Sequence, residues 1–372
     1  LFVSKPLTNI LKTASIFCFL LGSNAILAQT VITIDNNSGS TTTYQTIQEA
    51  IDNAADNDII YVQPSPTSYG TASITKPLTI VGRSHSEAGE VSQLSTVTIK
   101  SSNVTIKGIF FNNLAFNLSG APIPPPFVGT RVYECRFSSA TFGYTNQPTN
   151  NIDDVEIRGC FISGSIQIWN DSSNLLVSNN IFSGTNPITS YNTGTLNVAN
   201  NIFRGRTSIT IANNNAANDM FILFNNLFTL NSATDRLVNL NSGPFNLSNN
   251  LIHNYGTGTV SFASNSTGSF TDSNTLNTDP LFTDVDPTVA TSFAGTSTYN
   301  PAARLEDDLT LQAGSPALTA GVGGTELGIF SNGFNYKYLG NPRGVPTFNI
   351  VISDGAVPKN GAINVTVTAK AH

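Results

Sequence analysis

The sequence predicts an all-β protein that folds as a right-handed parallel β-helix solenoid, with short strands stacked coil upon coil. Three observations predict this fold class. A short apolar phrase recurs at a nearly constant interval, pairs of asparagines hold the same place in consecutive repeats, and Asn, Ser, Thr and Gly supply the polarity in place of charge. Charged residues make up 11% of the chain, against about 25% in an ordinary soluble domain. The 40% of hydrophobic residues argues against disorder.

Each repeat reads as an apolar strand, a small or amide residue, two apolar residues and a polar turn. Seven copies end on apolar anchors spaced 20 to 26 residues apart, namely Phe111, Phe137, Ile162, Phe182, Phe203, Phe228 and Ile252. That interval is shorter than a βαβ unit, which takes roughly 30 residues, and it fits one coil of three short strands. Helical periodicity between the anchors is weak, which disfavours a leucine-rich horseshoe. Coils should stack at about 4.8 Å.

Paired asparagines occupy one position in four consecutive repeats. Stacked amides can donate and accept along a column, and asparagine also tolerates the left-handed conformation that a sharp turn requires. The sequence therefore predicts a structural asparagine ladder at Asn179-Asn180, Asn200-Asn201, Asn225-Asn226 and Asn249-Asn250.

Cys135 and Cys160 each precede an anchor by two residues, so both should lie in one column. Neighbouring strands bring Cα atoms within disulfide range. A disulfide and a pair of buried free thiols are both compatible with this spacing.

The chain ends predict three regions. Residues 1–28 read as a signal peptide, with Lys5 and Lys12 before a short apolar run. Residues 29–342 form the β-helix, which a short helix opening at the capping box Thr46–Glu49 should cover at its N-terminal end. Residues 343–372 contain two strand-like segments, which predict a β-hairpin that either caps the last coil or begins an accessory module.

With these elements placed, residues 43–330 resemble the pectate-lyase-like right-handed parallel β-helix superfamily of secreted proteins. The resemblance rests on the helix Tyr44–Ala55, the first coils through Ile74–Gly82, and the late signatures Asp279–Phe282 and Leu309–Leu318. One departure is Pro64–Tyr69, which lacks the glycine of the usual Pro-Gly-x-Tyr turn. The resemblance implies an extracellular polysaccharide partner. Enzymes of the superfamily typically use calcium held by carboxylates and a Lys or Arg base, while other members have no known catalysis.

The densest charge cluster in the repeats is the candidate catalytic site. No lysine lies between Lys107 and Lys337, so a central base would have to be an arginine. The cluster falls on two consecutive coils and consists of Arg131, Glu134, Arg136, Glu156 and Arg158. The competing interpretation is a surface ion-pair ladder, which contributes little to stability. Trp169 and Asp171 could extend a sugar-binding face, although a lone tryptophan is more often a packing residue.

Other polar motifs predict no site. Paired acids of a hydrolase are missing, and the Asp-containing segments 284–286 and 307–308 lack the ligand density of a dedicated calcium loop. His85 and His253 read as turn or surface histidines, and Arg204 is expected to face solvent. No cofactor motif is evident, and calcium is left open.

Two functions follow as expectations. The first is a secreted β-helix protein that binds or processes acidic extracellular polysaccharide in a lyase-like manner. The second is a non-catalytic adhesion or structural protein of the cell surface. A net charge of −6 gives no reason to expect nucleic acid. We expect a secreted or cell-surface monomer without a transmembrane segment.

Overall fold

The computed structural model describes residues 29–116, 127–143, 152–169, 172–191, 194–205, 209–214, 221–242, 245–264, 269–270, 273–285, 308–343, 347–352 and 365–370. The predicted signal peptide, residues 1–28, and the Pro-rich segment 121–126 lie outside these residues. All elements named below belong to the compact unit Val31–His372.

Three parallel sheets form the solenoid, and strands are numbered in chain order. Within the described residues, sheet 1 has twelve strands, β1 (Val31–Ile34), β2 (Ile59–Val62), β4 (Thr79–Gly82), β6 (Thr105–Lys107), β8 (Phe127–Val128), β9 (Arg131–Tyr133), β12 (Ile152–Arg158), β15 (Ser172–Ser178), β18 (Leu196–Ala199), β21 (Phe221–Phe224), β24 (Phe245–Ser248) and β27 (Ser269–Phe270). Sheet 2 has seven, β10 (Arg136–Phe137), β13 (Phe161–Ile162), β16 (Ile181–Phe182), β19 (Ile202–Gly205), β22 (Leu227–Leu230), β25 (Leu251–Asn254) and β28 (Thr275–Leu276). Sheet 3 has nine, β3 (Ala72–Ile74), β5 (Thr96–Ile99), β7 (Asn113–Phe116), β11 (Ser139–Phe142), β14 (Ile166–Ile168), β17 (Ile188–Ser190), β20 (Ile209–Asn213), β23 (Arg236–Ser242) and β26 (Val260–Ser264).

From β9 onward each coil visits sheet 1, sheet 2 and sheet 3 in turn, so like strands stack on like. The predicted anchors align in one interior row, because Phe182 pairs with Phe203 and Phe203 with Phe228 in register. Their rings stack with centroids 4.8 and 4.7 Å apart, and all three are buried. The predicted all-β parallel β-helix is therefore confirmed, with about eight turns.

The two residues of each asparagine pair have different structural roles. The first residue of each pair has a positive φ, from 54° at Asn179 to 59° at Asn200, and turns the chain from sheet 1 into sheet 2. The second residue points inward. Asn201 Nδ2, for example, donates to Asn226 Oδ1 at 3.0 Å and to Val177 O at 2.9 Å. The ladder prediction is confirmed, with only the second asparagine forming the rungs.

The two cysteines continue the ladder toward the N-terminal coils. The Cys160 amide donates to Asn180 Oδ1 at 2.8 Å, and the Cys135 amide contacts Cys160 Sγ at 3.5 Å. Both are buried free thiols, which decides between the two alternatives left by the sequence. Burial, reinforced by Cys135, raises the pKa of the Cys160 thiol.

Helix α1 (Ile47–Asn53) covers the first coil as predicted. Thr46 and Glu49 form the capping box, and the buried face Ile47, Ala50 and Ile51 joins the interior of the solenoid. None of the described helices is long and apolar enough to cross a bilayer.

A segment without a repeat period, residues 308–343, packs against the outer face of sheet 2; we call it the returning segment. It begins at β30 (Asp308–Leu311), which pairs antiparallel with β29 (Phe282–Asp284), and includes three short 3₁₀ turns at Pro316–Leu318, Val322–Gly324 and Ser331–Gly333. Its apolar side chains cover the outward residues of sheet 2, which are Phe161, Ile181, Ile202, Leu227 and Leu251. Sheet 2 is consequently buried on both faces.

The returning segment docks on the corner column, the residues of positive φ between sheet 1 and sheet 2. This column comprises Gly108, Glu134, Gly159, Asn179, Asn200, Asn225 and Asn249. Asn249 Nδ2 donates to Ala320 O at 2.8 Å, Asn179 Nδ2 to Ile329 O at 3.1 Å, and the Arg343 amide to Glu134 Oε2 at 3.0 Å. The segment therefore runs from late coils back to early ones.

The C-terminal strands β31 (Thr347–Ile352) and β32 (Val365–Lys370) pair antiparallel, as the predicted hairpin requires. Whether this hairpin caps the last coil stays a prediction.

Candidate functional site

Two outward rows of sheet 1 carry three residues of the charged cluster, Arg131, Glu156 and Arg158. Strand alternation sends Val132 and Ile157 into the core and leaves their neighbours outside. The pairing of β6, β9 and β12 then aligns Thr105, Arg131 and Glu156 in one row, and Lys107, Tyr133 and Arg158 in the next.

Glu156 is the centre of the polar contacts in these rows. Tyr133 Oη donates to Glu156 Oε2 at 2.7 Å, and Arg158 Nη1 lies 3.6 Å from Glu156 Oε1. Arg131 Nε is 3.9 Å from the same carboxylate, while Arg131 Nη2 pairs more closely with Asp154, at 2.6 Å.

The returning segment adds a second wall opposite these rows. Phe334 lies beneath two guanidinium groups, that of Arg343 at 4.0 Å and that of Arg158 at 4.4 Å from the ring centroid. Arg343 Nε also pairs with Glu134 Oε1 at 3.1 Å. The walls enclose a cleft of about 260 Å³ lined by Lys107, Tyr133, Glu134, Arg158, Phe334 and Arg343.

The cleft is electropositive. Three cationic side chains line it against one carboxylate, that of Glu134, which is already paired with Arg343. Burial raises the pKa of Glu134, and the charges of Arg343, Lys107 and Lys337 oppose that rise. Burial also raises the pKa of Tyr133, and its hydrogen bond to Glu156 acts in the same direction. Tyr133 therefore keeps its proton at neutral pH and acts as a donor.

The structure brings four of the five sequence-predicted site residues together. Arg131, Glu156 and Arg158 share sheet 1, and Glu134 forms the adjacent corner. Arg136 lies beyond that corner in sheet 2, where it is 2% exposed and stacks its guanidinium 5.1 Å from the Phe110 ring centroid. It does not line the cleft.

The sequence-based selection missed four lining residues. Lys107 and Tyr133 occupy the same outward positions as Arg158, so the period of two along the strands could have revealed them. Phe334 and Arg343 come from the returning segment, which carries no repeat that would place it beside β9 and β12.

Three secondary expectations can be compared with the structure. His85 lies in a bend of the chain, but it is fully buried rather than on the surface. Burial, together with Arg136, lowers its pKa to about 3, and its Nδ1 lies 2.7 Å from Ser86 Oγ. Arg204 is also buried, at 6% exposure. Trp169 stacks on Tyr191 with centroids 3.9 Å apart, which favours its packing interpretation.

The donor set of the cleft does not fit calcium. Calcium takes six to eight oxygen ligands, mostly carboxylates and carbonyls. The two carboxylates here are engaged by other groups, Glu134 by Arg343 and Glu156 by Tyr133 and Arg158. Across the described parts of the chain, no group of three or more His, Cys, Asp or Glu side chains is arranged to hold a metal ion.

The similarity of this chain to known proteins is weak. No family model matches the sequence, and no curated protein matches it. A solved structure of a PL6 alginate lyase in complex with a trisaccharide is similar at a TM-score of 0.27 and 15% identity, over 63% of this chain. The chain covers 56% of that lyase. Similarity at this level identifies neither a family nor a substrate.

Proposed function

We propose that this protein binds acidic extracellular polysaccharide, with uronate carboxylates held in the cleft between sheet 1 and the returning segment. The convergence of Lys107, Arg158 and Arg343 on one cleft carries the proposal. Guanidinium groups bind carboxylates through paired charge-assisted hydrogen bonds, and stacking on an aromatic ring fixes their orientation. Phe334 provides that ring for both arginines.

The setting of the cleft suits a polymer. The cleft opens on outward rows of sheet 1, and these rows continue through successive coils at a spacing of about 4.8 Å. The predicted leader, residues 1–28, would deliver the protein to the compartment where acidic polysaccharides occur.

Lyase activity is the second candidate. β-Elimination from a uronate requires neutralisation of its carboxylate and a base that removes the adjacent proton. The three cations supply the first requirement, and the Tyr133–Glu156 pair stands beside them at 2.7 Å. The second requirement is met less well, because Tyr133 holds its proton and Glu156 is already engaged by Tyr133 and Arg158. Binding is therefore the better supported function, and a non-catalytic surface protein would use the cleft in the same way.

The test is a panel of pectate, alginate and a glycosaminoglycan, with and without calcium. We expect at least one polymer to bind and Arg158→Ala to weaken that binding by about tenfold, as befits the loss of one charge-assisted contact. Lys100→Ala is the matched control, because it removes one positive charge from an exposed position outside the cleft. Ultraviolet absorption by an unsaturated product would show that the protein has lyase activity in addition to binding. No binding across the panel, or equal losses in both variants, contradicts the proposal.

A further inference from the structure

Glu134 differs from the other residues of the cleft in what it contacts. It is 5% exposed and sits at a corner with φ of 51°, a conformation that costs a non-glycine residue energy. Asparagine or glycine fills every other position of the corner column. A buried glutamate in a strained conformation at this place indicates a specific role for its carboxylate.

That carboxylate holds one residue of the returning segment by two bonds. Its Oε2 accepts the Arg343 backbone amide at 3.0 Å, and its Oε1 pairs with Arg343 Nε at 3.1 Å. Both oxygens therefore face Arg343. The guanidinium so fixed lies over Phe334 at 4.0 Å and lines the cleft.

The neighbouring contacts explain why Arg343 needs such a clamp. Its side chain is 40% exposed, and an exposed arginine loses much rotamer freedom when it is held in one geometry. The same end of the segment is seated by Pro342 against Gly108 and by Asn341 Nδ2, which donates to Glu87 at 2.7 Å. Those contacts seat the segment on the solenoid. The guanidinium itself contacts Phe334 and Asn335 O within the segment, and Glu134 joins it to the corner column.

We infer that Glu134 is a positioning residue that holds Arg343 in the cleft, so that a buried carboxylate strengthens the binding of an anionic polymer. This inference rests on the proposed function and gives Glu134 a role different from the catalytic one suggested by its place in the charge cluster. It follows that the proposed anion site is complete only when the returning segment is docked on the corner column.

Replacement of Glu134 by glutamine should change the affinity for an anionic polymer in the direction opposite to that expected from charge alone. Glu134→Gln removes a negative charge from the cleft, so charge alone would tighten the binding of polygalacturonate. If Glu134 positions Arg343, the same variant should instead bind about tenfold more weakly. Glu90→Gln is the matched control, because it removes the same charge from another Arg–Glu pair, 3.5 Å from Arg83. That control should bind as tightly as the parent protein or slightly more tightly.

A double-mutant cycle separates positioning from general damage. If Glu134 acts through Arg343, the double variant Glu134→Gln, Arg343→Ala should bind no more weakly than Arg343→Ala alone. Additive losses, or unchanged or tighter binding by Glu134→Gln, overturn the inference.

Hydrogen exchange distinguishes a failure of this inference from a failure of the proposed function. Glu134→Gln should accelerate exchange in the peptide 334–343, and Glu90→Gln should not. If the parent protein does not bind polygalacturonate, accelerated exchange still supports the clamp and the proposed ligand is wrong. Unchanged exchange in Glu134→Gln shows that the carboxylate does not hold the segment.

Discussion

At the residue scale, each corner between sheet 1 and sheet 2 uses two neighbouring residues for two purposes. The first adopts a positive φ and turns the chain, and the second fills the interior column. The asparagine pairs show this most clearly, and Glu134-Cys135 and Gly159-Cys160 follow the same rule in earlier coils. The rule places Glu134 in the corner column and Cys135 in the interior column, although the two are adjacent in sequence.

The inner asparagine should be the costlier one to replace. Asn226 is fully buried, accepts from Asn201 at 2.9 and 3.0 Å, and donates to Asn250 and to Val198 O. Asn226→Ala leaves several buried groups without partners, so we expect the free energy of unfolding to fall by about 3 kcal/mol. Asn197→Ala, on the outward face of β18, should change it by less than about 0.5 kcal/mol. Chemical denaturation measures both, and similar values would contradict a structural ladder.

The spacing of the repeats predicted the rungs of the ladder correctly, but it did not predict that Arg136 lies in a different sheet from Arg131. Periodic spacing reveals which residues share a column. The point at which the chain turns from sheet 1 into sheet 2 is set by a single residue of positive φ. Glu134 carries that positive φ, so Arg136 falls in sheet 2 while Arg131 and Tyr133 remain in sheet 1. A cluster that is compact in sequence is thereby divided between two sheets.

His85 should make the fold acid-sensitive. In the unfolded chain a histidine binds a proton near pH 6.5, whereas burial and Arg136 lower the pKa of folded His85 to about 3. Between these values the unfolded state binds more protons, so stability falls as the pH decreases, with a limiting slope of about 1.4 kcal/mol per pH unit. We expect the decrease in unfolding free energy from pH 7 to pH 5 to be smaller in His85→Asn. Equal decreases in both proteins would show that folded His85 is protonated in this range.

At the element scale, the returning segment is the part of the structure that the sequence did not predict. Its contacts span large separations, 209 residues for Arg343 with Glu134 and 255 for Ser84 with Leu339. No repeat and no alternation of hydrophobic residues indicates such partners. Most repeats contain two adjacent apolar residues, and the first of each pair faces outward from sheet 2, as Ile202 does beside Phe203. Nothing in the sequence indicated what covers that face. The wall of the cleft that Phe334 and Arg343 form could therefore not be predicted from the sequence.

Substitution of Gly340 tests whether its contact with His85 holds the end of the returning segment in place. A Cβ at Gly340 would overlap with the His85 ring at Cδ2, and the φ of Gly340 is 70°. Gly333 has the same φ with nothing within 4 Å of its Cβ position. Gly333→Ala should therefore cost only the left-handed strain, about 1 kcal/mol, and Gly340→Ala should cost distinctly more.

Gly340→Ala and Gly333→Ala should also differ in their rates of hydrogen exchange and in their affinity for polysaccharide. Gly340→Ala should accelerate hydrogen exchange at residues 84–86, whose amides at His85 and Ser86 donate to Leu339 O. It should also weaken polysaccharide binding, although Gly340 does not line the cleft. Equal behaviour of the two variants would mean that the contact with His85 does not seat the segment.

At the scale of the whole molecule, stability should depend on contacts between adjacent coils. In a solenoid each coil contacts mainly its neighbours, so coupling energies are expected to be short-ranged. The interior row that runs through sheet 2 begins one coil before β10, at Phe111. It contains two stacks, Phe111 on Phe137 and Phe182 on Phe203 on Phe228, with Ile162 between them. This arrangement allows near and distant pairs to be compared within one row.

Phe203→Ala should lower the unfolding free energy by about 3–5 kcal/mol, because it empties a buried ring site. Combined with Phe182→Ala, which opens the adjoining site at 4.8 Å, the losses should deviate from additivity by about 0.5–3 kcal/mol. Combined with Phe111→Ala in the other stack, the losses should add. Denaturant titration of the three single and two double variants measures these terms. Strong coupling between Phe111 and Phe203 would contradict nearest-neighbour stabilisation, because it would require the coils between them to transmit the disturbance as one rigid body.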